Sequence, residues 1–275
     1  MQIGEMLGAE LFYDYLMRFG FREKTGIDLP GEAVGIMYTA ENMGPVELAT
    51  MSFGQSLTIT PLQLVRTAAI VINGGYMVTP HVGMRLLDGD GQIVQEFAPP
   101  PGEQVIPTEV SESMRFMLET VVSVGTGRRT YIPGFRVGAK TSTSQKLPRG
   151  SGKYISSIMA FAPADNPAVV ALVLVDEPQG VYYGGQVTGP VMQILLENVL
   201  PYLGVVPTYV TEEEQDAAPI SIPNLRGLAK NEALELLKQA GLNHDIVGKG
   251  DTIIDQFPIP GELVNRGERI LLRVK

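Results

Sequence analysis

The apolar positions of residues 5–19, EMLGAELFYDYLMRF, recur at helical spacing. Leu7, Leu11, Tyr15 and Phe19 lie four apart, with Phe12 and Leu16 beside them. This stripe predicts an amphipathic helix that Gly20 ends. After the loop TGIDLPGEAVG, the residues TPLQ at 60–63 announce a second helix. Thr60 suits its cap, Pro61 its first turn, and Gln63 can close a capping box. The run LVRTAAIVIN carries this helix to Gly74-Gly75, where a positive φ costs little. DGDG at 88–91 marks a hairpin-like stretch, and the proline-rich APPPG loop follows. A third helix starts near Thr108, with Met114, Met117, Leu118, Val121 and Val122 on one side.

After Gly125-Thr126-Gly127 the pattern changes to strands. VGAKTSTSQK at 137–146 is followed by YISSIMAFA, the turn PADNP and AVVALVLVD. The last two strands form an antiparallel hairpin. AVVALVLVD is apolar at nearly every position, which predicts burial on both faces. A fourth helix spans roughly 189–203, with Val191, Ile194, Leu195, Val199 and Tyr202 as its expected buried face. Helices over a sheet with a hairpin make an α+β layered domain.

Residues 207–219, PTYVTEEEQDAAP, read as a solvated linker. Beyond it the pattern predicts a strand at 220–225, a helix near 230–240 ending at Gly241, and strands at 243–248 and 269–274. A core below roughly 60 residues is marginal, so this unit is expected to lean on a neighbour or a ligand. The expected organisation is thus residues 1–206, a linker at 207–219, and residues 220–275.

Composition narrows the chemistry. The net charge is −9 with no basic stripe, which argues against nucleic-acid binding. Cysteine is absent, so disulfides, thiolate catalysis and cysteine-ligated metals are excluded. That absence fits an extracytoplasmic bacterial protein. The two histidines, His81 and His244, are far apart and read as ordinary imidazoles rather than triad members or metal ligands. No apolar run approaches the ~18 residues of a membrane span. The opening MQIGEMLGAELF lacks the basic and apolar regions of a signal peptide.

Lys140-Thr141-Ser142-Thr143 is the densest polar group in the strand region. It reads either as an exposed edge strand whose lysine deters pairing, or as one wall of a site. A wall of this kind supplies a cation and several hydroxyls to a carboxylate and an oxyanion. Alternation puts Lys140 and Ser142 on one face and Thr141 and Thr143 on the other. Backbone N–H groups at a cleft rim can serve as oxyanion donors.

Context favours the wall. FYDYLMRFGFREKTGIDLPGE, SFGQSLTITPLQLVRTAAIVINGG, the GTG at 125–127, YIPGFRVGAK, GKYISSIMAFAPADNP and VLVDEP occur in this order. Together they strongly resemble the C-terminal part of the transpeptidase domain of class B penicillin-binding proteins. The tail IPNLRGLAKNEALELLKQAGL…QFPIPGELVNRGERILLRV resembles a PASTA domain. The combination is most similar to the division or sporulation transpeptidases of Gram-positive-type bacteria. The resemblance implies part of a serine β-lactamase-like domain, with an antiparallel sheet and helices, followed by a small α+β PASTA domain. It implies no cofactor and no metal. Its ligands would be peptidoglycan stem peptides and β-lactams, its partners division or sporulation proteins, and its place the extracytoplasmic face of the plasma membrane.

The family's site has three motifs: a Ser-x-x-Lys nucleophile, a Ser-x-Asn and a Lys-Thr-Gly strand. The resemblance maps the third onto Lys140, Thr141 and Ser142. Lys140 would place positive charge near the substrate carboxylate and help proton traffic. Thr141 and Thr143 would lie near the terminal carboxylate of a D-Ala-D-Ala stem or a β-lactam, and the Thr143 backbone N–H would be an oxyanion donor. Ser142 stands where the family has glycine, which lets the acyl group approach the backbone. Ala139 precedes the lysine, with Gly138 one step earlier. Neither Ser-x-x-Lys nor Ser-x-Asn occurs in the 275 residues.

This polypeptide alone is therefore expected not to acylate, and helices such as 60–73 are expected to expose apolar surface. The leading reading is the C-terminal portion of a peptidoglycan D,D-transpeptidase. One alternative is a non-enzymatic module that binds wall fragments or a division partner through the PASTA-like unit. Another is a split enzyme completed by a second chain, and a β-lactamase fits less well. In the tail, Glu232, Lys238 and Arg269 read as solvated charges. Ala229, at the cap position, weakens helix entry by about 1 kcal/mol relative to Ser or Thr.

Overall fold

The computed structural model describes residues 1–97, 99, 102–148, 150–208, 219–264 and 266–275. They form two compact units, one of residues 1–130 with 136–203 and one of residues 131–135 with 204–275. Of the expected linker, residues 209–218 lie outside the described residues.

The first unit begins with α1 (Gln2–Arg18), two helical segments that meet at Gly8, whose φ of 77° breaks the helix. Its buried face holds only part of the expected stripe, Phe12, Leu16 and Phe19. Ala9, Phe12, Tyr13 and Leu16 pack against Met43, Leu48 and Met51, while Leu7, Leu11 and Tyr15 are exposed. The break at Gly8 separates Leu7 from the later turns, and α2 (Pro45–Met51) covers the Phe12–Leu16 side. α3 (Pro61–Ile72) carries the full capping box between Thr60 and Gln63, and Gly74 and Gly75 both take positive φ after it. Contrary to expectation, α3 exposes no large apolar side chain, and Ala68, Ile70 and Ile72 are buried. Exposed apolar side chains do occur on α1, at Ile3, Met6, Leu7 and Leu11.

The hairpin β1 (Arg85–Leu87) and β2 (Ile93–Glu96) turns through Asp88–Gln92. α4 (Thr108–Ser123) buries Ser111, Leu118 and Val122, with Met117 exposed on its far side. The central sheet is antiparallel in the order β3-β4-β5, with β3 (Gly138–Gln145), β4 (Tyr154–Ala162) and β5 (Val169–Asp176). β5 is half-buried and Leu174 is exposed, so it is not the doubly buried strand the run of apolar letters predicts. That place belongs to β4, because β5 lies at the edge of the sheet. Phe161 packs with Ile72, Leu118 and Ala164, joining β4 to α3 and α4. After α5 (Gly184–Val187), α6 (Gly189–Tyr202) lies against β4 and β5. It buries Met192, Leu196 and Leu200 and exposes Val191, Ile194, Leu195 and Tyr202. The helix is apolar nearly all round, so periodicity alone picks the wrong stripe.

The shape of the 25–35 loop comes from carboxylates that cap backbone. Asp28 accepts from the N–H groups of Val82 (2.8 Å) and Gly83 (2.7 Å). Glu32 accepts from the Thr25 hydroxyl and N–H and from the Gly26 N–H. The buried Gln63 side chain ties the same loop to α3, donating to the Glu23 carbonyl and accepting from the Gly35 N–H. The Gly83 and Val82 N–H groups hold the Asp28 carboxyl below its ordinary pKa, and the Thr25 hydroxyl does the same for Glu32. A depressed folded-state pKa stabilises above the unfolded value, and the stabilisation is lost as pH falls through the folded one. The Val82 and Gly83 amides are therefore expected to keep their hydrogen-exchange protection at neutral pH. They should lose it on acidification below about pH 4, the ordinary carboxylate range. Protection that stays level between pH 7 and pH 2.5 relative to other amides would refute this.

In the second unit, β7 (Asn243–Val247), β10 (Arg269–Val274) and β8 (Ile253–Phe257) form a sheet with β10 central, parallel to β7 and antiparallel to β8. β6 (Ile220–Ser221) pairs with β9 (Leu263–Val264). The expected strand at 220–225 is thus only two residues long, and β8 and β9 were not legible as strands. α7 (Lys230–Gln239) has no side-chain cap at Ala229. Its Ala233 and Leu237 join Ile253, Ile270 and Leu272 in a core of the unit's own. Arg269 is exposed, as expected, and pairs at the surface with Asp245 at 2.6 Å.

Candidate functional site

β3 is an edge strand, and its register places the candidate residues. Gly138 pairs with Phe161, Lys140 with Met159 and Ser142 with Ser157, while Thr141 faces Ile158 and Thr143 faces Ser156. Cross-strand partners share a face. Lys140, Ser142 and Ser144 are therefore on the Phe161 side, and all three are exposed. Thr141 and Thr143 are half-buried on the opposite side. The Lys140 Nζ donates to the Thr141 carbonyl at 2.9 Å and makes no ion pair among the described residues, so its charge is available to an anion.

The inner hydroxyls meet groups to which the sequence assigned no role. Thr141 Oγ1 lies 2.9 Å from Thr126 Oγ1 in the turn after α4. Thr143 Oγ1 accepts from the Gly184 N–H at 3.0 Å. Gly184 fits because it lacks a side chain: a Cβ there would fall 2.2 Å from the Ser142 carbonyl oxygen. The Gly-Gly at 184–185 was the available signal for this close approach. The Ser156 hydroxyl donates to the Tyr182 carbonyl, and Tyr182 stacks on Tyr154 with ring centroids 4.2 Å apart. These contacts fix the segment before α5 onto the sheet.

The turn between β3 and β4 is held by charge. Lys146 lies 2.9 Å from Asp176 and 2.8 Å from Glu177, and Lys153 lies 3.0 Å from Glu177. The hydrogen bond from Lys146, then that from Lys153, holds the Glu177 carboxyl below its usual pKa. The open face of β3 ends at a cavity of about 820 Å³ lined by segments 36–38, 54–58 and 144–147. No group of His, Asp and Glu among the described residues is placed to hold a metal ion. None of their helices is long and apolar enough to cross a membrane.

With the geometry of β3 in place, the comparisons with known proteins decide the family. Residues 1–197 match the penicillin binding protein transpeptidase domain. The chain belongs to that family. Residues 220–275 match the PASTA domain. A relative, Stage V sporulation protein D of Bacillus subtilis, is 39% identical over 98% of this chain and 43% of its own length. The peptidoglycan D,D-transpeptidase FtsI of Escherichia coli K12 is 33% identical over 74% of this chain and 34% of its own. The chain thus spans less than half the length of these curated relatives. Among solved structures, penicillin binding protein 3 of the tubercle bacillus, complexed with ampicillin, superposes with a TM-score of 0.69. It is 26% identical, over 78% of this chain and 50% of that one. The transpeptidase domain of Burkholderia pseudomallei penicillin-binding protein 3 gives a TM-score of 0.66 at 31% identity, over 76% and 62%.

Proposed function

We propose that β3 is one wall of a peptidoglycan D,D-transpeptidase site. The complete enzyme would form a serine acyl-enzyme with a stem peptide, release D-alanine and pass the acyl group to a second strand. In this reading Lys140 supplies charge to the substrate carboxylate, and Thr141 and Thr143 bind that carboxylate. The Thr143 N–H stabilises the oxyanion, and Ser142 borders the acyl group's approach. The ligands are stem peptides and β-lactams, the setting is the extracytoplasmic face of the plasma membrane, and the domains divide at 206 and 220. The observation that carries the reading is the β3 register: a lysine with no ion pair among the described residues and two supported threonine hydroxyls on one strand, inside a stretch that matches the transpeptidase family.

The attacking serine is not among these 275 residues in a Ser-x-x-Lys setting, so this polypeptide by itself is inert to acylation. A fluorescent penicillin, followed by denaturing gel and intact mass, tests this. The probe is applied to this chain and to a fusion carrying the amino-terminal part of the Bacillus subtilis sporulation relative ahead of Met1. The expected outcome is label on the fusion only, with a severalfold faster rate in its Ser142→Gly variant, because the hydroxymethyl group no longer borders the approach. A covalent adduct on the short chain would overturn the inertness. A fusion that folds but takes no label would overturn the transpeptidase reading of the wall and favour a binding module.

A further inference from the structure

The two inner hydroxyls of β3 are tied to partners of different kinds. The Gly184 N–H can only donate, so it fills an acceptor position on Thr143 Oγ1 and leaves the Thr143 proton free to point at a ligand. Thr141 has a hydroxyl partner instead, Thr126 Oγ1 at 2.9 Å, and either oxygen can donate. Thr126 is held where it is. The Gly127 N–H donates to the Val121 carbonyl at 2.9 Å, closing the turn on α4. Gly185 sits so close that a Cβ on it would fall 2.2 Å from the Thr126 carbonyl oxygen and 3.2 Å from Thr141 Cγ2. Lys140 Nζ reaches the carbonyl of the same Thr141.

We propose that Thr126 is a positioning residue for this wall: it donates its proton to Thr141 Oγ1, so that the Thr141 O–H is presented to a ligand carboxylate. This rests on the functional reading above. A hydroxyl has one proton and two lone pairs. If Thr141 spent its proton on Thr126, it would meet an anion with lone pairs alone. A carboxylate only accepts, so it selects the arrangement in which Thr126 donates inward and Thr141 and Thr143 both donate outward. Thr126→Val keeps the branched shape but removes the proton that fixes Thr141. Thr126→Ser keeps the proton.

The test is a titration of this chain with N-acetyl-D-alanyl-D-alanine and with its C-terminal amide, read from 15N–1H spectra. The acid is expected to shift the Thr141, Thr143 and Gly184 amides saturably. Thr126→Val should weaken that binding about fivefold, the scale of one net hydrogen bond between neutral groups. Thr126→Ser should bind like the parent, and the weaker binding of the amide should not respond to either change. Equal affinity of the parent and Thr126→Val for the acid overturns the positioning role and leaves the transpeptidase reading standing. Weakening by both substitutions, or of acid and amide alike, reduces Thr126 to packing and also overturns it. No saturable shift in the parent overturns both this role and the ligand assignment of the wall.

Discussion

Gly184→Ala is expected to destabilise the first unit by about 3 kcal/mol, the upper end of the usual cost of overpacking. The new Cβ would lie 2.2 Å from the Ser142 carbonyl oxygen and 2.6 Å from that of Ser157. Both are backbone atoms of paired strands, so neither can swing aside as a long side chain would. The segment at Gly184 must lift instead. Lifting breaks the Gly184 N–H bond to Thr143 and the Thr188 hydroxyl bond to the Gly184 carbonyl. Gly89 supplies the control, because a Cβ there meets nothing within 4 Å and its φ is not in the left-handed region. Gly89→Ala should change stability by no more than about 0.5 kcal/mol. Urea unfolding of the two variants separates the cases. Equal midpoints would mean that the close approach of this segment to β3 is not part of the folded state.

Phe161→Ala is expected to cost about 3–5 kcal/mol, as complete removal of a buried ring does. Phe161 is fully buried, packed with Ile72, Leu118 and Ala164. It also pairs across the sheet with Gly138, where a Cβ would fall 2.3 Å from the ring. The ring therefore fills the space a side chain at 138 would need. This gives a second, more demanding expectation. Gly138→Ala should be strongly destabilising in the parent but mild in the Phe161→Ala background, because the cavity accepts the methyl group. A double-mutant cycle of urea midpoints reads the coupling directly. Additive effects would show that the ring does not rest on Gly138, and a loss under ~1 kcal/mol for Phe161→Ala would show that the site collapses without cost.

Both predictions concern supports of one strand, and the supports were the hardest part to read. The polar letters 140–143 and their alternation were legible, because a strand's period of two leaves no choice of face once the register is known. The groups that hold those letters were not, since Thr126, Gly184 and Phe161 come from three separate segments. The capping box at Thr60 and Gln63 was legible for the opposite reason: both partners lie within four residues, and the chemistry is local. The roles of Asp28 and Glu32 were not, although the GIDLPGE string that holds them was visible, because the Val82 and Gly83 amides that Asp28 caps are 54 and 55 residues away.

By itself the sequence determined where helices and strands run in most of the first unit, the α+β character of the chain and the alternation of polar side chains along β3. These follow from local periodicity and from residue chemistry at short range. Only the tertiary structure decided which faces are buried. α6 is apolar on nearly every side, so the stripe of Met192, Leu196 and Leu200 was chosen by the sheet it meets. α1 was turned by the break at Gly8 and by the contact with α2. The run of apolar letters in β5 gave no sign that it would lie at an edge, because strand order is set by pairing between distant segments and leaves no mark on the strand itself.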